Sequence, residues 1–78
     1  MTVEQMKKRL AETYPDGECQ VTDLTGTENH YEVFVVSSAF NGLSRIRAHQ
    51  HVMAAFALEL KTGEVHALSI RTQIKIES

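Results

Sequence analysis

Along the first fourteen residues the hydrophobic positions are Val3, Met6, Leu10 and Tyr14, in steps of three and four that line one face of a helix. Thr2 followed by Gln5 has capping-box spacing and Pro15-Asp16-Gly17 is a turn signal, so the pattern predicts a helix from Val3 to Tyr14. The periodicity then changes. ECQVTDL (18–24) and HYEVFVVS (30–37) are rich in β-branched and aromatic residues, and the polar TGTEN between them contains Gly26, which predicts an antiparallel hairpin. Asn41-Gly42 marks another turn and Ser44 suits a helix N-cap. Ile46, His49, Met53, Phe56, Ala57 and Leu60 then form a helical stripe that stops before Gly63, predicting one long helix from Arg45 to about Thr62. EVHALSIRT (64–72) is the third strand, and the alternation of QIKIES either prolongs it or frays.

The order α-β-β-α-β predicts one α+β domain over residues 1–78, with a three-stranded mixed sheet and its helices on one face. A strand, a crossover helix and a second strand in the same sheet run parallel, so the starts of the second and third strands share one end. His30 opens the second strand and His66 lies near the opening of the third. If the two strands are neighbours, ~4.8 Å apart, both imidazoles face one rim. Cys19, at the start of the first strand, falls at the opposite end of the hairpin, opposite Val35.

Composition narrows the possibilities. A chain of 78 residues is a single small domain, burying only about 60 to 65% of its unfolded surface. No apolar run approaches the ~20 residues of a membrane span. MTVEQMKKRL has no apolar segment behind its basic residues, and one cysteine makes no internal disulfide, so the expected setting is a reducing, cytoplasmic one without membrane association. A net charge of −2 gives no global attraction for nucleic acid, although between Ser37 and Leu58 the only charged residues are Arg45 and Arg47.

Taken alone, His66 is most simply a partly exposed strand-end histidine, and His30 a residue after a polar loop. As a pair they change meaning, because neutral imidazoles are good ligands for borderline metals and two supply half of a four-ligand shell. Nothing else completes the shell: there is no second cysteine, and Asp23, Glu28 and Glu32 are scattered over ordinary positions. His49 and His51, two apart on a helix, point in different directions; His49 falls on the apolar stripe and reads as packed, His51 as facing solvent. Lys7, Lys8 and Arg9 read as a solvated helix face, with i,i+4 pairs Glu4–Lys8 and Lys8–Glu12, and Cys19 as a small buried hydrophobe. There is no nucleophile-elbow pattern, phosphate loop or paired-carboxylate setting, so no enzyme is expected.

Phe40 to Arg45, FNGLSR, His49 in the following helix, and VHALSIRT at Val65 to Thr72 resemble the BolA family over nearly the whole chain. The resemblance implies a fold like the second class of KH domains and a protein that binds a monothiol glutaredoxin and shares a [2Fe-2S] cluster with it. His66 matches the family's ligand on the last strand, and His30 matches a second ligand supplied around the loop joining the first two strands. Histidine at the second position resembles the histidine-type, acid-stress variety of short bacterial members. The remaining ligands would be thiolates of the glutaredoxin and its bound glutathione, so the isolated chain is expected to hold no cluster and to be a monomer or weak homodimer. Ala48 and Gln50 stand beside His49 where many relatives have basic residues, and QIKIES lacks the Thr-Pro-acidic-Trp ending of many. Some members are described as transcription regulators, which gives the alternative of DNA contact through Arg45 and Arg47. With two arginines and no Gly-x-x-Gly loop, such binding is expected to be weak and indifferent to sequence.

Overall fold

A computed structural model describes residues 1–24, 26 and 30–75. Helix α1 spans Val3–Thr13, β1 Glu18–Asp23, β2 His30–Ser37, α2 Arg45–Ala55, α3 Ala57–Thr62 and β3 Ala67–Ile74, with a 3-10 turn at Ser38–Phe40. Most of the predicted hairpin loop, Thr25 and residues 27–29, and the end of the predicted tail, residues 76–78, lie outside the described residues. The sheet order is β1-β2-β3, with β1 and β2 antiparallel and β2 and β3 parallel. The sequence predicts this mixed sheet, and β2, paired on both sides, is its centre.

Alternation along β2 sets the layers. Tyr31, Val33 and Val35 are fully buried against Met6 and Leu10 of α1, Tyr14 at its C-cap, and Val52 and Phe56 of the crossover. His30, Glu32, Phe34 and Val36 take the other, half-buried face. The first helix is as its stripe predicts, and the capping box is present: Gln5 N–H donates to Thr2 Oγ1 at 3.1 Å and Thr2 N–H to Gln5 Oε1 at 2.9 Å.

The crossover differs from its prediction in two ways. First, the buried line is Ala48, Val52, Phe56 and Glu59, whereas Ile46 is 69% and Met53 44% exposed. Apolar residues surround α2 on several sides, so periodicity does not fix its rotation, and Ala48 is buried where the larger Ile46 and Met53 stay outside. Second, the helix is interrupted at Phe56, whose N–H turns to the carbonyl of Met53 at 3.0 Å, three residues back. The Ala55 carbonyl is met by Arg9, whose guanidinium donates to it at 3.2 Å, pairs with the Glu59 carboxylate and lies 5.7 Å from the Phe56 ring centre. Arg9 is thus a clamp between α1 and the crossover, a correction to its reading as part of a solvated basic face.

Gly63, at φ 82°, ends α3 in the left-handed conformation that glycine adopts without strain. The third strand starts later than predicted, at Ala67, because the Val65 N–H is taken by the Glu59 carbonyl at 3.1 Å and Val65 itself is buried. It also runs two residues further, to Ile74.

The turn after α1 is held from across the molecule. Asp16 accepts from Ser38 N–H at 3.0 Å, Ser38 Oγ at 2.5 Å and Ser37 Oγ at 3.1 Å, while its own carbonyl accepts from Lys75 Nζ. Gly17 beside it is required by close approach: a Cβ there would stand 2.3 Å from the Val36 carbonyl oxygen. The Ser38 hydrogen bonds lead the interactions that hold the Asp16 carboxyl down at about 2, from 3.8. A group depressed on folding stabilises the folded state above its unfolded pKa, and that contribution is lost as the pH falls through the folded value. Asp16→Asn is therefore expected to lower the urea midpoint at neutral pH, with the gap to the unmodified protein narrowing as the pH falls from about 4 toward 2; a gap independent of pH across that window would contradict the assignment.

Candidate metal centre

Parallel pairing brings His30 opposite Ala67, so His66 sits one residue ahead of the first ladder pair. The two imidazoles share the rim, with ring centres 6.2 Å apart and planes tilted by 45°. His66 is exposed and His30 half-buried. Each is anchored through its backbone: the His30 carbonyl accepts from Leu24 N–H at 2.9 Å, closing the hairpin, and His66 follows buried Val65, whose N–H is fixed to Glu59. His30 is therefore the first residue of a hydrogen-bonded strand and not part of the loop itself.

With a metal–nitrogen bond of about 2.0–2.1 Å, each ring centre stands about 3.2 Å from the ion, and a tetrahedral angle puts the two centres about 5.2 Å apart. Side-chain rotation closing the rings by about 1 Å from the observed 6.2 Å meets that requirement. The donor set fits half of a four-ligand shell, either for a single ion or for a [2Fe-2S] cluster, in which two histidines on one iron are an established arrangement. Among the described residues no group of three or more His, Cys, Asp and Glu side chains could hold a metal ion. Glu64 is 3.1 Å from the amino group of Met1, Asp23 accepts from Gly26 N–H at 3.0 Å, and Glu32 is 4.0 Å from Arg71. Glu28 lies outside the described residues.

Other candidates are elsewhere. Cys19 pairs with Val35, five positions along β2 from His30, and is half-buried against the core; burial pushes its thiol up, the opposite of a reactive thiolate. Arg45 and Arg47 are exposed on the first turn of α2, which Ser44 caps through a 3.2 Å bond to Arg47 N–H. That turn follows the far end of β2, away from the histidine rim. His49 is half-buried. His51 is more than a solvent-facing residue: its Nδ1 is 2.5 Å from the Tyr14 hydroxyl, and its ring is 5.4 Å from that of Tyr14 and 6.1 Å from Phe40. Burial pushes the Tyr14 hydroxyl up to about 12. A cavity of about 340 Å³ beside α1, lined by Arg9, Glu12, Glu59 and Glu64 among others, contains neither rim histidine.

The family follows from fold and sequence together. A BolA-like protein family model matches residues 4–77, and the chain belongs to the BolA-like family. The uncharacterized protein RP812 of Rickettsia prowazekii is 33% identical over 72 residues, 92% of either chain. BolA-like protein 1 of Homo sapiens is 52% identical over 48 residues, 62% of this chain but only 34% of that one, so the match spans about a third of the human protein. Among solved structures, BolA1 from Arabidopsis thaliana superposes with a TM-score of 0.83 at 30% identity, covering 97% of this chain and 94% of that one. The BolA domain of SufE1 from Arabidopsis thaliana gives 0.83 at 28% identity, over 92% and 90%. Among the described residues no helix is long and apolar enough to cross a membrane.

The Arg9 clamp is the feature of this region that charge patterning hides. Arg9 hydrogen-bonds the Glu59 carboxylate and holds it below the usual carboxylate range, and the Glu59 carbonyl in turn holds Val65, next to His66. Removing one partner of a buried ion pair strands the other. With the Arg9 side chain about a third exposed, Arg9→Met is expected to cost about 2 kcal/mol in urea unfolding. It should also shift the imidazole NMR resonances of His66 while leaving those of His51 in place; unchanged stability together with an unchanged His66 signal would contradict the clamp.

Proposed function

We propose that this BolA-like chain is a non-catalytic adaptor that binds a monothiol glutaredoxin and shares a [2Fe-2S] cluster with it, in cluster trafficking or in iron or stress sensing. The observation that carries the proposal is the juxtaposition of His30 and His66 on one accessible rim, with no further protein ligand assembled there among the described residues. Such a half-shell suits a group held jointly with another protein. His30 and His66 would bind through imidazole nitrogen, and the thiolates of the glutaredoxin and its glutathione would supply the other ligands. When bound, the cluster would supply an iron-sulfur unit whose potential mixed His/Cys ligation would raise. The chain's part is to present two imidazole donors on anchored backbone and to leave the opposite side open.

This reading places the chain with histidine-type, stress-associated members of the family and in the cytoplasm, where a partly buried single thiol stays reduced. DNA contact by Arg45 and Arg47 is the weaker reading, because two exposed arginines on a chain of net charge −2 release few counterions.

Mixing the protein with a cluster-loaded monothiol glutaredoxin is expected to change the visible circular dichroism, whereas the chain alone should take up little cluster. Either His66→Ala or His30→Ala should diminish that change, and the double substitution should abolish it. A wild-type spectrum from the double variant would show that the histidines only finish their strands.

A further inference from the structure

We propose that the His30–His66 rim is also a site for Zn²⁺, and that a second copy of this chain completes it, giving a zinc-bridged homodimer with four imidazole ligands. The site rests on the rim geometry; only its consequence for partner exchange rests on the function proposed above.

The two rings are within about 1 Å of the spacing that one tetrahedral ion requires, and imidazole nitrogen is a favoured zinc ligand. Exposure of His66 leaves its ring room to turn. An ion held there has two positions to fill, and each nearby described carboxylate already faces a partner: Glu64 the Met1 amino group at 3.1 Å, Asp23 the Gly26 N–H at 3.0 Å and Glu32 the Arg71 guanidinium at 4.0 Å. A two-fold axis through the ion brings the same pair of histidines from the second copy and closes the shell at four, without a ligand from elsewhere.

The surroundings favour that occupant over water. Leu24, whose N–H bonds the His30 carbonyl, is 54% exposed, and Ala67, opposite His30 in the ladder, is exposed as well. Two-fold pairing covers both copies of these apolar side chains. Two chains of net charge −2 repel each other weakly, and a doubly charged cation on the axis offsets that repulsion. Because this dimer uses the rim histidines, it and the shared-cluster complex exclude one another, so zinc would withdraw the chain from its partner.

The test uses the full chain, stripped of metal with a chelator and titrated with ZnCl₂ alone, with mass followed by light scattering and heat by calorimetry. The expected result is about half an equivalent of Zn²⁺ per chain, an approximately twofold rise in mass and reversal by EDTA. His66→Ala and His30→Ala, confirmed folded by far-ultraviolet circular dichroism, should each weaken binding at least about tenfold. One Zn²⁺ per chain at monomer mass, no binding, or doubling that persists in both variants would overturn the proposal. The assay contains neither iron nor glutaredoxin, so its outcome is independent of the outcome of the cluster-mixing experiment.

Discussion

The parallel pairing of β2 with β3 is the constraint on which the rest of the molecule depends. It joins segments more than thirty residues apart in the chain and sets His30 opposite Ala67, which in turn sets His66 beside His30. A slip of one residue would send the alternating side chains of β3 to the other face of the sheet. Leu68 and Ile70, packed against the core, would then face outward and Arg71 inward, so hydrophobic burial fixes the register. The position of the two imidazoles is therefore a by-product of core packing and needs no interaction of its own.

The crossover supplies the second half of that constraint. A parallel connection must carry the chain back along the sheet, and here it does so in two helices with a break at Phe56. Arg9 satisfies the Ala55 carbonyl at the break and pairs with Glu59, whose carbonyl fixes the entry into β3 through Val65. A polar link between the first helix and the last connection thus bears on where the last strand begins. At the other end of the sheet, Asp16 performs a similar task with Ser37, Ser38 and Lys75, so the entry into β3 and the end of β2 are each held by contacts from outside the sheet.

Much of this arrangement is legible in the sequence, and the parts that are not share a cause. The capping box, the α1 stripe, the two β-rich runs and the mixed topology come from local pattern, and topology alone predicts that His30 and His66 meet at one rim while Cys19 does not. The rotation of α2 is not legible, because Ile46 and Met53 are as apolar as the residues that are buried and the small Ala48 gives no strong signal. At the Phe56 break Arg9 reaches the Ala55 carbonyl from 46 positions away, and its pairing with Glu59 spans 50, separations that no window of sequence contains. The same holds for Tyr14 and His51, 37 apart, whose hydrogen bond gives His51 a neighbour that spacing along its own helix does not reveal. The first ladder residue of β3 falls later than propensity suggests because Glu59 has already taken the Val65 N–H.

The β2–β3 register places the two histidines side by side in the cluster-free chain. Nuclear Overhauser contacts in the isolated, metal-free protein test it most directly. The expected result is a set of backbone contacts that run in parallel sense from the His30–Ala67 pair through Tyr31–Leu68 and Glu32–Ser69, together with contacts between side-chain protons of His30 and His66. A ladder displaced by one residue, or a correct ladder with the His66 ring turned away from His30, would contradict it.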